Sequence, residues 1–324
     1  MIGFSAAIRG ARHELCLALF ASVLALLIGR SNPAFFSLAN FYDLLRNCSV
    51  LGIFTLGVLL VLISGGIDIS FTAIAVCSMY ICSRILIACG AQGAIYSALL
   101  LSGAIGALLG TINAALVTSF RTPALIVTLG TASLYRGFTL AFIGTAVITD
   151  LPRGLISFSK IVLFERSAAG GEVYGLSPFI LLFAAIAAAT AVVLRFSILG
   201  RGVYALGGDP VAARRAGYAV NRIQFFVYGY AGFLAGLAGI SHATMMRNAN
   251  PFDLVGTELT VIAAAVLGGA SISGGRGTVA GAVLGVFVLV LIQNSLLLLG
   301  IPTTWHRVAV GAVIIISTAL NARR

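Results

Sequence analysis

Two ionisable side chains lie where a hydrocarbon environment makes charge costly. Asp68 sits in GGIDIS, residues 65–70, between two apolar runs, and Arg136 falls near the middle of the apolar run that follows Pro123. At such a depth a charge must be paired, hydrated or neutralised, so these residues mark either a polar path through a membrane or an internal tie. For Asp68 the first reading makes it an acceptor for substrate hydroxyls at a glycine-broken helix. The second makes it the cap of the helix that follows. For Arg136 the alternatives are an inward-facing site and a structural ion pair. Asn113, Gln293 and Asn294 are further polar residues inside apolar runs, able to hydrogen-bond a sugar or to tie helices together. Asp68, Ser70, Asn113, Thr128, Arg136 and Asn294 are therefore the candidate lining of a translocation pathway.

Other chemistry is excluded by what the chain lacks. Lys160 is the only lysine, and no G-x-x-x-x-G-K-[ST] pattern surrounds it, so the chain carries no nucleotide-binding loop of that kind. Cys16, Cys48, Cys77, Cys82 and Cys89 form no C-x-x-C pair, and His13, His242 and His306 match no metal spacing. No metal, cofactor or catalytic residue is expected. No polar segment reaches the roughly 50 residues that a compact catalytic domain needs. The chain therefore does not hydrolyse ATP itself.

The elements that would position these residues are membrane helices. Of the 324 residues, 60% are hydrophobic and 9% charged, against about 25% charged in a soluble protein. The formal charge of +11 belongs to loops facing the cell interior rather than to nucleic-acid binding. Runs at 15–29, 47–64, 71–89, 93–120, 123–146, 177–196, 223–243, 257–271, 279–299 and 305–320 predict about ten spans. The eighth is short. The fold class is all-α, a single transmembrane domain over 1–324, with one polar loop at 147–176 and another, on the opposite side, at 197–222. Placing both termini inside collects Arg9, Arg12, Arg121, Arg276, Arg323, Arg324 and the arginines of the 200s on the cytoplasmic face.

The segment 200–222 reads as a short helix between two spans. Asp209 is a good N-cap, Pro210 fits the first helical position, and Gly217 can adopt the left-handed turn that ends a helix after 211–216. Gly106 and Gly110, Gly232 and Gly236, and Gly277, Gly281 and Gly285 repeat at four-residue spacing, which suits close helix packing within one bundle. SGGIDIS at 64–70 and LGGASIS at 267–273 form a short internal echo, of the kind a glycine-rich chain also produces by chance.

GGIDIS (65–70), PALIVTLGTASLYRG (123–137), GRGVYALGGDPVAARRAG (200–217), LAGLAGI (234–240) and ELTVIAAAVLGGASISGGRG (258–277) resemble, in this order, the permease subunits of bacterial ABC-type monosaccharide importers. The resemblance covers nearly the whole chain. It implies a ten-helix inner-membrane permease for a ribose-, rhamnose- or autoinducer-2-like sugar. Its implied partners are a second permease chain, identical or homologous, ABC ATPase subunits inside, and a periplasmic sugar-binding protein. It also implies that Arg201, Gly208, Asp209, Ala212, Ala213, Arg214 and Gly217 couple to the ATPase. Val211 stands where the family usually has an acidic residue, and Phe71-Thr72 replaces the usual valine-glycine after GGIDIS. The alternative is a secondary sugar transporter driven by an ion gradient, which the sparse intramembrane carboxylates disfavour.

Overall fold

The computed structural model describes residues 2–91, 95–120, 122–167, 173–302 and 304–322, leaving aside the side chains of 2–12, 314 and 316–322. Arg121, Arg323, Arg324 and the side chains of Arg9 and Arg12 thus lie outside the described residues. The chain folds into α1 (Ile2–Ser31), α2 (Leu38–Ile63), α3 (Phe71–Ala88), α4 (Ile95–Phe120), α5 (Ala124–Phe138), α6 (Arg153–Ser159), α7 (Phe179–Phe196), α8 (Ile198–Gly208), α9 (Pro210–Arg215), α10 (Val220–Met246), α11 (Glu258–Leu267), α12 (Val279–Leu298) and α13 (Thr304–Ala322). Among the described residues, eight helices are long and apolar enough to cross a membrane. α13, at 19 residues, occupies the last expected span.

The eighth expected span, 257–271, is not a span. α11 has 10 residues, about 15 Å at 1.5 Å per residue, half of a hydrocarbon core about 30 Å thick. Gly269 ends it at φ 92°, with the Ala270 N–H bonded to the Ala265 carbonyl at 3.0 Å. The chain then continues as a loop to the end of the bundle that carries α9, where Gly275 N–H donates to the Ile63 carbonyl at 2.8 Å. Length of apolar sequence was a misleading guide here, because the glycine pair stops the helix before the apolar run ends. The 64–70 and 267–273 echo is out of step by one: the left-handed glycines are Gly65 and Gly269, which the sequence match does not align.

The segment 147–176, expected as a plain loop, contains α6 and an antiparallel pair, β1 (Leu163–Ser167) with β2 (Val173–Leu176). It is tied down where Ile148 pairs with Ala249, N to O at 3.0 and 2.9 Å.

α2 is the central stave, buried continuously from Gly52 to Ile63. Against it stands α10, which packs along α4 with no side chain between the backbones. A Cβ on Gly106 would meet the Gly232 carbonyl, one on Gly232 the Gly106 carbonyl, and one on Gly236 the Ser102 carbonyl. Ser102 Oγ donates to the Gly236 carbonyl at 2.7 Å. Gly281 and Gly285 likewise lie against the Gly268 and Ala264 carbonyls, joining α12 to α11. Gly232→Leu should therefore eliminate monodisperse protein from detergent extracts, since overpacking a well-fitted contact costs about 1–3 kcal/mol or more and this one is backbone on backbone. Gly229→Ala, whose Cβ would meet only Thr111 Oγ1 at 3.4 Å, is the control that should extract normally.

Candidate functional site

The polar segment after α7 is two helices rather than a loop with one. Ser197 accepts the Gly200 N–H at 2.9 Å and starts α8, whose Gly202, Val203 and Leu206 face the bundle and are buried. Asp209 caps α9, its Oδ1 accepting from the N–H groups of Val211 at 2.8 Å and Ala212 at 3.1 Å, with Pro210 at the first position. Gly217 ends α9 at φ 85°. The Gly217 N–H bonds to the Arg214 carbonyl and the Tyr218 N–H to the Ala213 carbonyl, each at 3.1 Å. That pair of bonds is the left-handed glycine stop read from the sequence. Ala213 is buried against the bundle, whereas Arg201, Gly208, Asp209, Val211, Ala212, Arg214 and Gly217 are exposed.

This handle is joined to the bundle through backbone. A Cβ on Gly207 would collide with the Ile63 carbonyl and come within 2.6 Å of Gly275 N. Tyr204 Oη donates to the Gly277 carbonyl at 2.8 Å. The end of α8, the end of α2 and the loop between α11 and α12 are thus one block.

The expected pathway residues fall into three places. Asp68 Oδ1 accepts from the Ser70 N–H and hydroxyl, both at 2.7 Å. Ser70 Oγ accepts from Asn113 Nδ2 at 2.7 Å, and Asn113 Oδ1 lies 3.2 Å from the Tyr135 hydroxyl. Thr128 Oγ1 spans the Ile67 carbonyl at 3.3 Å and the Ile69 N–H at 3.4 Å. Asp68 is 2% exposed, and Ser70, Asn113 and Thr128 are 0%, so this knot between α3, α4 and α5 presents no open face. Asp68 does not cap α3: Ser70 holds that position, without a side-chain cap bond.

Arg136 pairs with Glu258 at the start of α11, and Thr72 joins them, donating to Glu258 Oε1 at 2.6 Å and accepting from Arg136 Nη2 at 3.0 Å. Thr72 belongs to the first turn of α3, next to a knot whose Asn113 lies seven residues (120 − 113) from the end of α4, about 10 Å deep. α11 therefore begins near mid-depth and runs toward the α9 end. Asn294 lies elsewhere, near the opposite end of the bundle. Its Nδ2 donates to Asn40 Oδ1 at 2.9 Å, and Asn40 Nδ2 donates to the Phe35 carbonyl at 2.9 Å.

Sequence reasoning missed Glu258, Thr72, Tyr135 and Asn40. The available signal was Glu258 itself, one of nine acidic residues and the opening residue of an apolar run. Among the described residues no group of three or more His, Cys, Asp or Glu side chains could hold a metal ion.

Residues 40–318 match the family described as branched-chain amino acid transport system, permease component. The chain is similar to the ribose import permease protein RbsC of Escherichia coli K12, 33% identical over 304 residues, 93% of this chain and 91% of the relative. The corresponding RbsC of Haemophilus influenzae is 32% identical over 295 residues, 91% and 88% of the two chains. The autoinducer 2 import system permease protein LsrC of Klebsiella pneumoniae is 35% identical over 308 residues, 95% and 84%.

The chain belongs to this permease family. It is a membrane-spanning permease subunit of an ATP-binding cassette importer, not an enzyme. α9 is the exposed element at one end, and α11 is the half-length helix that links that end to mid-depth.

Proposed function

We propose that this permease carries a monosaccharide or similarly small polyol inward, paired with a second permease chain and driven by separate ATPase subunits that grip α9. A periplasmic sugar-binding protein delivers the substrate at the other end. The observation that carries this reading is the handle: a capped, arginine-bearing helix with an exposed outer face, following directly on α8, whose Gly207 packs by backbone against α2 and the loop behind α11. With α9 in the cytoplasm, Arg201, Arg214, Arg215, Arg222 and Arg276 share the inner face, in line with the positive-inside bias, and both termini are cytoplasmic. The similarity to ribose and autoinducer 2 permeases over more than nine-tenths of this chain supports the substrate class.

In this reading ATP-driven closure of the ATPase pair moves α9 as a lever, and the block at Gly207 passes the movement to α2 and α11. Arg136 and Glu258 set the mid-depth start of α11. Asp68, Ser70, Asn113 and Thr128 form the inner gate, which opens by parting α5 from α3 and α4.

The test is Gly217→Val. A β-branched residue in the left-handed region costs about 1–2 kcal/mol, and no neighbour lies within 4 Å of the site, so the bundle should fold while the end of α9 changes shape. The complex should then retain ATP hydrolysis but lose sugar uptake in proteoliposomes. Full ATP-driven uptake by this variant would remove α9 from the coupling role.

A further inference from the structure

A cavity of about 400 Å³ enters the bundle at the end opposite α9 and descends between α2, α10, α11, α12 and α13. It falls within the range of ligand pockets, about 300–1,000 Å³. Its polar lining comes from Arg46, Asn47, His242, Thr257, Thr260, Gln293, Asn294 and His306, and its floor is the first turn of α11. No side chain caps that turn, so the positive end of a half-length helix borders the cavity near mid-depth.

Two atoms here are buried and have no partner among the described residues: Asn294 Oδ1 and His306 Nε2. The orientation of the Asn294 amide follows from its neighbours. Asn40 must direct its Nδ2 at the Phe35 carbonyl, which leaves its Oδ1 to accept from Asn294 Nδ2. Asn294 Oδ1 is then a fixed acceptor without a donor. Buried polar atoms are ordinarily satisfied; these two belong to side chains that line one cavity, and since neither atom has accessible surface, a ligand meets them once the side chains turn toward it.

We propose that this cavity is the station where the permease accepts its substrate from the far side, and that the substrate is recognised as a neutral, hydroxyl-bearing molecule by Asn294 and His306. A hydroxyl donates to Asn294 Oδ1 and either donates to or accepts from the imidazole of His306, according to its tautomer. A carboxylate or phosphate offers no proton to Asn294 Oδ1 and meets it as a second acceptor. No Asp or Glu lines the cavity, and the Asp253 carboxylate behind His242 is already engaged by His242 at 3.1 Å and by Asn250 at 2.8 Å. Phe54 supplies an apolar wall against which the C–H face of a sugar ring can rest. The inference rests on the sugar-importer reading and narrows it to one set of side chains.

The experiment uses the complete importer, co-purified with its own ATPase and binding-protein partners and reconstituted in proteoliposomes, with radiolabelled D-ribose, L-rhamnose and D-xylose as probes. Asn294→Leu and His306→Leu should each lower uptake at sub-saturating sugar about tenfold or more, while assembly and sugar-independent ATP hydrolysis stay at the level of the unaltered complex. His306→Gln should restore part of the uptake, because the amide can again meet a hydroxyl. Uptake within twofold of the unaltered complex in both leucine variants overturns the site and leaves the transporter reading intact. So does stronger competition by ribose 5-phosphate than by ribose. If the unaltered complex takes up none of the three sugars, the sugar-importer reading falls and the site with it. Loss of assembly in Asn294→Leu, or in both His306→Leu and His306→Gln, also counts against the proposal, since the residues would then be structural.

Discussion

Glu258→Ala is expected to lower the yield of folded permease severalfold. Removing the carboxylate strands Arg136, which sits in the last turn of α5 with Thr72 as its other polar contact. Breaking a fully buried pair by deleting one partner costs about 3–5 kcal/mol. With Arg136 33% and Glu258 15% exposed the cost is a fraction of that, still felt against a total stability of about 5–15 kcal/mol. It also frees the start of α11, whose first turn has no side-chain cap among the described residues. The converse is as informative. Replacing both partners, Arg136→Leu with Glu258→Leu, removes the stranded charge and should recover much of the lost yield, because an apolar pair of similar volume often matches a buried ion pair. Size-exclusion yield and thermal aggregation in detergent read both effects. A single Glu258→Ala variant as stable as the parent would mean that Arg136 is solvated and the pair is incidental.

The second large effect concerns Gly207. A valine here would put its Cβ onto the Ile63 carbonyl and break the 2.8 Å bond that this carbonyl accepts from Gly275. The clash sits at the very end of the bundle, so the membrane helices should still assemble and α9 should still bind the ATPase. The joint between the handle and the half-length helix is lost instead. Uptake should fall at least about tenfold, equivalent to 1.4 kcal/mol of coupling, with ATP hydrolysis preserved. Gly208, the next residue, has open space where a Cβ would go. Gly208→Ala should therefore keep most of the uptake and separate the steric effect from the loss of a glycine.

How much of this was legible beforehand differs by element. α9 was readable almost atom by atom, because capping is local: Asp209, Pro210 and Gly217 each act on backbone within three residues. The glycine spacing on α4 and α10 was readable as close packing, and the structure supplies which helix meets which. α8 was hidden in a supposed loop, since its buried apolar residues, Val203 and Leu206, are few and flanked on both sides by glycines. α11 was misjudged for the opposite reason, an apolar run continuing past a helix that had already stopped at Gly269. The site was least legible. Arg136 and Glu258 are 122 residues apart, and Asn294 and Asn40 are 254 apart, so no spacing rule connects them. Gln293 and Asn294 stood out as polar residues in an apolar run, but Arg46, His242 and His306 share their cavity only through the packing of five helices.

The side-chain-free contact between α4 and α10 constrains how the machine can change shape. With Gly106 and Gly110 pressed against Gly232 and the Tyr228 carbonyl, neither helix can roll about its own axis or slide past the other without driving peptide groups into each other. The two are in effect one double-width plank. Whatever rearrangement alternates the opening from one face to the other must pivot around this plank, leaving α5, α11 and their neighbours to do the travelling.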